Sequence, residues 1–447
     1  MSVPQREQWA TNSGFLLATI GSAVGIGNIW RFAYVAGENG GGAFLVIYLA
    51  SVVLVGAPLV LAELTVGRRA QADAVTAFER VVPGTRWKSA GYLFVAGGVL
   101  ILAYYAVIAG WVLKYFVGAS LGSLWSEAGS GYGAFFEEFI SHPAEPVIWQ
   151  AVMLGTTMAV SLCGVRGGIE ALNRALMPVL VLLLVGLAIF AVSQPGSEAG
   201  IRFLFEPDWS VLSQPRVYLA ALGQAFFSLG VGMAIFITFG GYLAQGPALP
   251  ISVGAIVAGD TLLAITAGLA IFPVVLAHGV DPASGPQLAF ITLPQVFLGM
   301  PGGTWLGILF FGLLTGAALT SMVSILEVPT AAVMTRWGVR RRNAVAVVGG
   351  GCFVLGVPAA LSYGVLSDTT ILTLPILDAM DGLASNYVLP LGGLVVALFV
   401  GWRWGAGDAI AQSGLLLPAL GRAWIWLLRI VAPAVILAIL LGAVGGE

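Results

Sequence analysis

The stretch TIGSAVGIGNIWRF, residues 19–32, lies in the middle of the first long apolar segment of the chain. It combines three glycines with the amide of Asn28 and the guanidinium of Arg31. Glycine is a poor helix former. An ionisable group inside a bilayer is costly, and it is therefore found mainly where it has a function. The combination predicts a helix that is interrupted at membrane depth, where freed backbone groups face a site rather than lipid.

The composition of the whole chain indicates a polytopic membrane protein. Of its 447 residues, 59% are hydrophobic and only 9% are charged, whereas charged residues make up about a quarter of an ordinary soluble domain. Apolar segments of about 20 residues are long enough to span the hydrocarbon core as helices. We predict an all-α protein with eleven transmembrane helices near 12–36, 42–66, 89–118, 147–164, 173–193, 217–243, 250–277, 304–335, 343–361, 382–402 and 424–444.

The basic residues predict the orientation of these helices. Most arginines, Arg68 and Arg403 among them, fall on one side of the membrane, and only Arg202 and Arg216 fall on the other. Because cytoplasmic loops carry the excess of basic residues, the N-terminus is predicted inside the cell and the C-terminus outside. A multi-pass protein of the cell (inner) membrane is expected, with the lipid bilayer as a partner. The net charge of −2 gives no reason to expect a nucleic-acid partner, and the oligomeric state stays open.

A second glycine-interrupted segment, FFSLGVGM at residues 226–233, opens the sixth predicted span. Each interrupted segment therefore begins a block of five spans, and two such blocks have opposite orientations because five is odd. We predict a single transporter domain built from inverted repeats at 12–193 and 217–402, followed by a last helix at 424–444. Paired broken helices are the sequence signature of a midplane site in secondary transporters. The alternative is that the glycines only allow close helix packing.

Ionisable residues within membrane spans are functional candidates by default, and four of them stand out: Arg31, Glu63, Asp260 and Glu327. A lone carboxylate at the position of Asp260 requires a cation. The side-chain oxygens of Asn28 and Ser228 and the carbonyl of Ala23 are ligands of the hardness that sodium prefers. The alternative is a structural ion pair between Asp260 and Arg31.

The eighth predicted span carries Ala317, Thr320 and Ser321 one helical turn apart. With carbonyl groups freed at Gly21 and Val24, these residues could form a second sodium site of five oxygens. Hydroxyl side chains in helices usually bond back to a carbonyl of the preceding turn instead, so both interpretations stay open.

Two further side chains fit a broken-helix site. Glu63 could accept hydrogen bonds from several freed backbone amides, because a carboxylate is a strong acceptor. The hydroxyl of Tyr105, in the pair Tyr104–Tyr105, could either bind a substrate carboxylate or serve only in packing.

These motifs together resemble the neurotransmitter:sodium symporter family, which has the LeuT-like fold. The motifs that carry the resemblance are REQWAT (6–11), GSAVGIGNIWRF (21–32), ENGGGAF (38–44), GQAFFSLGVGM (223–233) and AALTS (317–321). They extend over nearly the whole chain and are most similar to the bacterial members with eleven helices that transport hydrophobic amino acids.

The resemblance implies roles for individual residues. It implies a first sodium site of Ala23, Asn28, Ser228, Asp260 and the substrate carboxylate, and a second of Gly21, Val24, Ala317, Thr320 and Ser321. It implies a substrate pocket lined by Ala23, Gly25, Ile26, Gly27, Ile101, Tyr105, Phe227, Ser228, Gly230, Met233, Ser321 and Ile325. It also implies an outer gate of Arg31 and Asp381, an inner gate of Arg6, Trp9 and Tyr242, and a supporting role for Glu63.

Several positions depart from patterns within the family. Gly25 stands where amine transporters have an aspartate, so the substrate should supply its own carboxylate. Asp260 stands where many members have asparagine, and Ala264 where chloride-dependent members have serine. Thr335 occupies the position expected for the inner-gate acid, which leaves the partner of Arg6 open.

The sequence therefore predicts a transporter and not an enzyme. We expect a sodium-coupled symporter of neutral hydrophobic L-amino acids, aliphatic and aromatic, which uses two sodium ions and no chloride and works by alternating access. The alternatives from other classes are a transport-silent amino-acid receptor and an ion channel of the same fold.

Overall fold

The computed structural model of the chain describes residues 7–126, 131–244, 248–283 and 288–445. This part of the chain is mostly helical, and the helices are numbered here in chain order. The first half contains α1 (Asn12–Ala23), α2 (Gly27–Glu38), α3 (Gly42–Ala70), α4 (Ala74–Val81), α5 (Lys88–Leu121), α6 (Ser123–Ser126), α7 (Tyr132–Ser141), α8 (Glu145–Leu162), α9 (Val165–Val192) and α10 (Glu198–Phe205).

The second half follows a short 3₁₀ turn at Trp209–Ser213. Its strands β1 (Thr370–Ile371) and β2 (Leu374–Pro375) pair antiparallel in a short hairpin. Its helices are α11 (Pro215–Leu229), α12 (Ile235–Gly241), α13 (Leu249–Ala277), α14 (Leu288–Leu298), α15 (Gly303–Trp337), α16 (Arg341–Ala360), α17 (Ile376–Arg403), α18 (Ala406–Ser413) and α19 (Pro418–Gly442).

The length and composition of the helices agree with a multi-pass membrane protein. In the part of the chain that the structure describes, eight helices are long and apolar enough to cross a membrane, and the bent pair α1 and α2 makes a ninth. The other two predicted spans correspond to α8 and to the pair α11 and α12, which fall outside that criterion. Eleven spans are compatible with these helices, and the count stays a prediction.

The first interrupted segment folds as two short helices with a break between them. Helix α1 begins after Thr11, whose hydroxyl accepts a hydrogen bond from the Gly14 amide at 2.9 Å. It ends at Ala23 because Val24 adopts an extended backbone with φ −77° and ψ 94°. The chain resumes helical structure at Gly27, and the two halves are bent by 51°.

The second interrupted segment breaks between Leu229 and Ile235. Gly230, Gly232 and Ala234 all have positive φ angles, of 68°, 86° and 57°. At Gly232 a side chain is excluded twice, by this backbone conformation and by the carbonyl oxygen of Leu389, which would lie 2.2 Å from an added Cβ. Glycine is the residue that adopts such angles without steric cost, so FFSLGVGM ends one helix and starts another.

Both breaks lie in the buried interior of the helix assembly, where α1 packs against α13 and α15. The long helices α5 and α15 pack along each other and form one wall of this interior. Side chains that would be costly in lipid are concentrated here rather than on the perimeter. At most 1% of the surface of each of the following is exposed: Asn28, Glu63, Ser228, Asp260, Thr320 and Glu327.

Candidate ion and substrate site

The break in the first helix leaves backbone amides that polar side chains satisfy. The amide of Ile26 donates to the Tyr105 hydroxyl at 3.2 Å, and the amide of Gly25 donates to the Asn28 side-chain oxygen at 3.2 Å. A Cβ on Gly25 would lie 2.5 Å from the Ser321 hydroxyl. Glycine at this position therefore allows the broken backbone to lie directly against α15.

The break in the second helix is held by Glu63 of α3. Its carboxylate is fully buried and accepts a hydrogen bond from the Gly232 amide at 2.8 Å. The carboxyl group satisfies a backbone amide that the interrupted helix leaves without an intrahelical partner. The contact ties α3 to the break at 230–234.

A buried polar cluster joins the first break to α11 and α13. The Asn28 amide nitrogen donates to the Asp260 carboxylate at 2.6 Å and to the Ser228 hydroxyl at 2.9 Å. The Ser228 hydroxyl donates to the other Asp260 oxygen at 2.8 Å, and the Tyr48 hydroxyl lies 3.4 Å from the same oxygen. All four residues are buried.

The charge of this cluster is not balanced by a basic side chain. Within the described residues, Asp260 forms no ion pair. Arg31, the alternative partner considered from sequence, donates instead to the Gln224 side-chain oxygen at 2.8 Å. A buried carboxylate surrounded by neutral oxygen-bearing groups fits a small hard cation, because burial of an unpaired charge is costly.

A second group of oxygen atoms lies where α15 meets the end of α1. The Ser321 hydroxyl crosses to α1 and donates to the Ser22 carbonyl at 3.2 Å, whereas the Thr320 hydroxyl donates to the Ala317 carbonyl of its own helix at 2.9 Å. The alternative that a hydroxyl bonds back to a carbonyl of its own helix is therefore correct for Thr320 but not for Ser321. Gly21 and Val24 lie on the α1 side of the same contact, one in the last turn of α1 and the other at its C-terminal end.

A small enclosed cavity of about 30 Å³ lies between the two breaks. Its apolar walls come from α5, α12 and α15, and its backbone walls come from the breaks themselves. It is lined by Ser22, Ala23, Gly25, Gly27, Ile101, Tyr105, Phe227, Gly230, Met233, Ile235, Ser321 and Ile325. Of the residues that the resemblance implies for the pocket, Ile26 and Ser228 do not line this cavity. Ser22 and Ile235 do line it and were not among them.

A wide cavity of about 690 Å³ adjoins the enclosed one. Tyr105, Phe227 and Gly27 line both, so these residues form the boundary between the two spaces. Arg31 and Asp381 both line the wide cavity, but no ion pair joins them. The Arg31 guanidinium instead lies 4.6 Å from the ring centre of Phe227.

At the opposite end of the enclosed cavity, a dense network of side chains joins four elements; we name it the Arg341 network. Arg341 donates to both Glu327 oxygens at 2.7 and 2.9 Å and to both Glu7 oxygens at 2.9 and 2.8 Å. The Tyr242 hydroxyl donates to Glu327 at 2.6 Å, and the Trp9 indole donates to the Phe239 carbonyl at 3.0 Å. Arg341 is the middle one of three consecutive arginines, and Glu7 is the second residue of the REQWAT motif.

Sequence reasoning marked Glu327, Trp9 and Tyr242 but missed Arg341 and Glu7. The only available signal was the buried carboxylate of Glu327, which needs a cation from somewhere in the chain. Arg6 lies outside the described residues. Thr335, at the position expected for an acid, donates to the Ala331 carbonyl at 2.9 Å within its own helix.

The fold and these clusters define a class of protein: a multi-pass helical membrane protein with two interrupted helices around a buried polar site. The model of the sodium:neurotransmitter symporter family matches residues 6–134 and 138–445. The chain belongs to this family of sodium-dependent transporters, which are not enzymes, and the predicted family and LeuT-like fold are confirmed.

Known proteins of the family match over most of their length. YhdH of Bacillus subtilis (strain 168), an uncharacterized sodium-dependent transporter, is 37% identical over 449 residues, covering 100% of this chain and 99% of YhdH. The mouse (Mus musculus) sodium-dependent neutral amino acid transporter B(0)AT3 is 28% identical over 72% of this chain and 66% of its own length. The crystal structure of MhsT in complex with L-phenylalanine superposes with a TM-score of 0.93 at 49% identity, covering 98% of this chain and 100% of MhsT.

Proposed function

We propose that this transporter is a symporter of neutral hydrophobic L-amino acids that couples uptake to two sodium ions. The observation that carries the proposal is the buried Asp260 carboxylate, which has oxygen-bearing neighbours and no basic partner among the described residues, directly beside the first helix break. An ion that neutralises this carboxylate lowers the cost of burying it. Sodium binding therefore stabilises the arrangement into which the substrate fits.

The first sodium ion takes its ligands from Asn28, Ser228, Asp260 and the carbonyl of Ala23. Asn28 connects this ion to the backbone at Gly25, because its oxygen accepts the Gly25 amide at 3.2 Å. The carboxylate of an amino acid completes the ligand set, so the first ion and the substrate bind cooperatively. Because the substrate carboxylate is itself a ligand of the ion, binding of the substrate and binding of the first ion are obligatorily coupled.

The second sodium ion lies between α1 and α15, with ligands from Gly21, Val24, Ala317, Thr320 and Ser321. The Ser321 contact with the Ser22 carbonyl at 3.2 Å supports this position, because it brings a hydroxyl of α15 to the carbonyl end of α1. A helix C-terminus attracts cations. Occupation of this site fastens α1 to α15, and release of the ion frees them.

The side chain of the substrate is accommodated by the apolar part of the enclosed cavity. Ile101, Ile325 and Met233 line it, and the absence of a side chain at Gly230 leaves room. Phe227 and Met233 border this cavity of about 30 Å³, and the unbranched Met233 side chain can adapt to substrates of different size. MhsT was crystallised with L-phenylalanine and B(0)AT3 is named for neutral amino acids; both support a neutral hydrophobic substrate.

Alternating access is supported by the contrast between the wide cavity and the Arg341 network. We assign the wide cavity to the outside of the cell membrane and the network to the cytoplasm, following the distribution of basic residues. In this assignment the N-terminus is cytoplasmic and the C-terminus outside. Arg31 and Asp381 close the outer side, and Trp9 and Tyr242, with Arg6, close the inner side.

Chloride independence follows from the fixed negative charge of Asp260. Two sodium ions in a site of low dielectric constant require compensating charge, and a zwitterionic amino acid supplies none in net terms. Asp260 supplies it, and Ala264 offers no hydroxyl to a chloride ion. Replacement of external chloride by gluconate should leave uptake unchanged in the wild type.

The deciding experiment is uptake of labelled L-leucine and L-phenylalanine into liposomes that contain the purified protein. We expect accumulation above equilibrium with an inward sodium gradient and none with an equal potassium gradient. Binding without accumulation would identify a receptor, and a substrate-independent current that follows no gradient of amino acid would identify a channel. Asp260→Ala serves as the matched protein in which the proposed coupling charge is missing.

A further inference from the structure

A broad, shallow basic groove lies away from the transport site, between the connection of α4 to α5 and the end of α17. It measures about 730 Å³ and is lined by Gly84, Thr85, Arg86, Trp87, Ser89, Ala90, Leu93, Val395 and Arg403. No acidic side chain lines it. We name it the Arg86–Arg403 groove.

Two guanidinium groups in this groove lack a partner. Arg86 and Arg403 are both exposed, and within the described residues neither side chain has a hydrogen bond, an ion pair or a ring contact. Other arginines near this end of the molecule are occupied; the Arg80 guanidinium, for example, donates to the Gln71 carbonyl at 2.8 Å. An unpaired pair of basic groups in one concavity is a site for an anion.

Aromatic contacts join the two sides of the groove. The Trp87 ring packs edge-on against Phe399 with centroids 5.4 Å apart, and Phe399 packs against Phe78 at 4.8 Å. These contacts fix the segment that carries Arg86 against the helix that carries Arg403. Arg86 and Arg403 therefore line the same groove from two different elements of the chain.

The groove lies at the boundary between a polar and an apolar surface. Leu93 and Val395 form its apolar wall and continue into the membrane-spanning helices α5 and α17. Tyr92 and Trp402, next to this wall and to Arg403, are 47% and 63% exposed. Exposed tyrosine and tryptophan side chains mark the level of lipid headgroups.

We propose that the Arg86–Arg403 groove binds the phosphate headgroup of an anionic phospholipid, with the acyl chains along Leu93 and Val395. Basic pockets between transmembrane helices on the cytoplasmic side hold such headgroups in other membrane proteins. The leaflet depends on the proposed orientation of the chain. The binding itself depends on neither the substrate nor the sodium sites.

The test measures lipid retention by native mass spectrometry of the purified full-length protein in the absence of amino acid. Phosphatidylglycerol and phosphatidylethanolamine with identical acyl chains are compared, and glycerol 3-phosphate is added as a free competitor. We expect wild type to retain phosphatidylglycerol preferentially. Each basic residue near an anionic headgroup contributes about fivefold, so Arg86→Gln with Arg403→Gln should lower this affinity about 30-fold.

The matched control is the pair Arg336→Gln and Arg342→Gln, which removes two exposed arginines from the same predicted side. It should retain the lipid as wild type does. An unchanged thermal transition shows that each variant is folded, and Arg86→Lys with Arg403→Lys should keep most of the preference. Equal retention in the glutamine variant and its control overturns the proposal. So does equal retention of the two lipids, or displacement of lipid by glycerol 3-phosphate at equal concentration.

Discussion

The two ends of the transport path are built from similar residues but differ in how these residues are joined. On the proposed outer side, Arg31 and Asp381 line an open cavity of about 690 Å³ without forming an ion pair. On the proposed inner side, Arg341 binds the buried Glu327 and the partly exposed Glu7 with four hydrogen bonds of 2.7–2.9 Å. The two ends therefore differ in how their charged side chains are partnered: they stay apart at the wide cavity and are joined in the Arg341 network.

The two ends contain similar charged residues and differ in whether these residues are paired with each other. At the wide cavity the Arg31 guanidinium has neutral partners, the Gln224 side-chain oxygen and the Phe227 ring. Charges that are buried must be paired and hydrogen-bonded, because the desolvation penalty is otherwise not recovered. In the proposed alternating-access cycle, closing the outer side and opening the inner side would exchange these two conditions between the two ends.

The largest effect is expected from breaking the closed side. Arg341→Met leaves the Glu327 carboxylate buried, and the Tyr242 hydroxyl still donates a hydrogen bond to it at 2.6 Å. Removing one member of a buried pair costs about 3–5 kcal/mol, so the free energy of unfolding should fall by that amount. Denaturant unfolding in detergent micelles measures it, with Arg342→Met, the adjacent exposed arginine, as the control.

A double variant separates loss of the pair from loss of packing. Arg341→Met combined with Glu327→Met should recover most of the stability, since replacing both members of a buried pair by apolar residues is often neutral. If Arg341→Met alone is as stable as its control, the inner side is not held by this pair.

The next largest effect is expected at the buried polar cluster around Asp260, to which Asn28 belongs. Asn28→Ala removes the contacts of 2.6 Å to Asp260 and 2.9 Å to Ser228. Hydrogen bonds to charged groups contribute about 1.5–3 kcal/mol, so the affinity for L-leucine at saturating sodium should fall about 10- to 100-fold. Titration of binding against sodium measures the loss, and the exposed Asn386→Ala is the matched amide. Unchanged sodium dependence would contradict the first-site assignment.

A smaller effect is expected from the open side. Arg31→Ala removes the 2.8 Å hydrogen bond to Gln224 and the contact with the Phe227 ring. Together these contacts contribute about 1–2 kcal/mol, and we expect this contribution to stabilise the state in which the cavity has closed over the substrate. Dissociation of bound L-leucine should accelerate roughly 10-fold while initial sodium-dependent binding changes little.

The control for this variant is Arg216→Ala, an exposed arginine on the same proposed side. Asp381→Ala should reproduce the effect of Arg31→Ala if the two residues act as one gate. Dissociation rates at the wild-type value in both gate variants would show that another element closes the outer side.

The smallest effect is expected at the contact that fastens α1 to α15. Ser321→Ala removes one hydrogen bond, of 3.2 Å to the Ser22 carbonyl, worth about 1 kcal/mol. The sodium concentration for half-maximal binding should rise about fivefold. Ser324→Ala is a close control, because its hydroxyl donates within α15 to the Thr320 carbonyl at 3.0 Å. Equal sodium requirements in the two variants would remove Ser321 from the second site.

Much of the architecture could be predicted because the membrane restricts it. Apolar segments of spanning length must be helices, and glycines beside an amide and a guanidinium predict where a helix stops. The interruption at GSAVGIGN is confirmed by the break between Ala23 and Gly27, and the one at FFSLGVGM by the break after Leu229. These are local features, decided by residues close together in the chain.

Which residues meet across the chain depends on how distant helices pack together. The sequence predicted that Asp260 and Glu327 both lie within membrane spans and that Asp260 requires a cation, but not which residues each carboxylate meets. Glu327 receives Arg341 from the next helix, whereas Arg31 turns to Gln224 and leaves Asp260 with neutral partners. A local pattern indicates that a buried charge is costly. Its partner is selected by the packing of helices far apart in the chain, because the distance between two charges and their desolvation set the interaction energy.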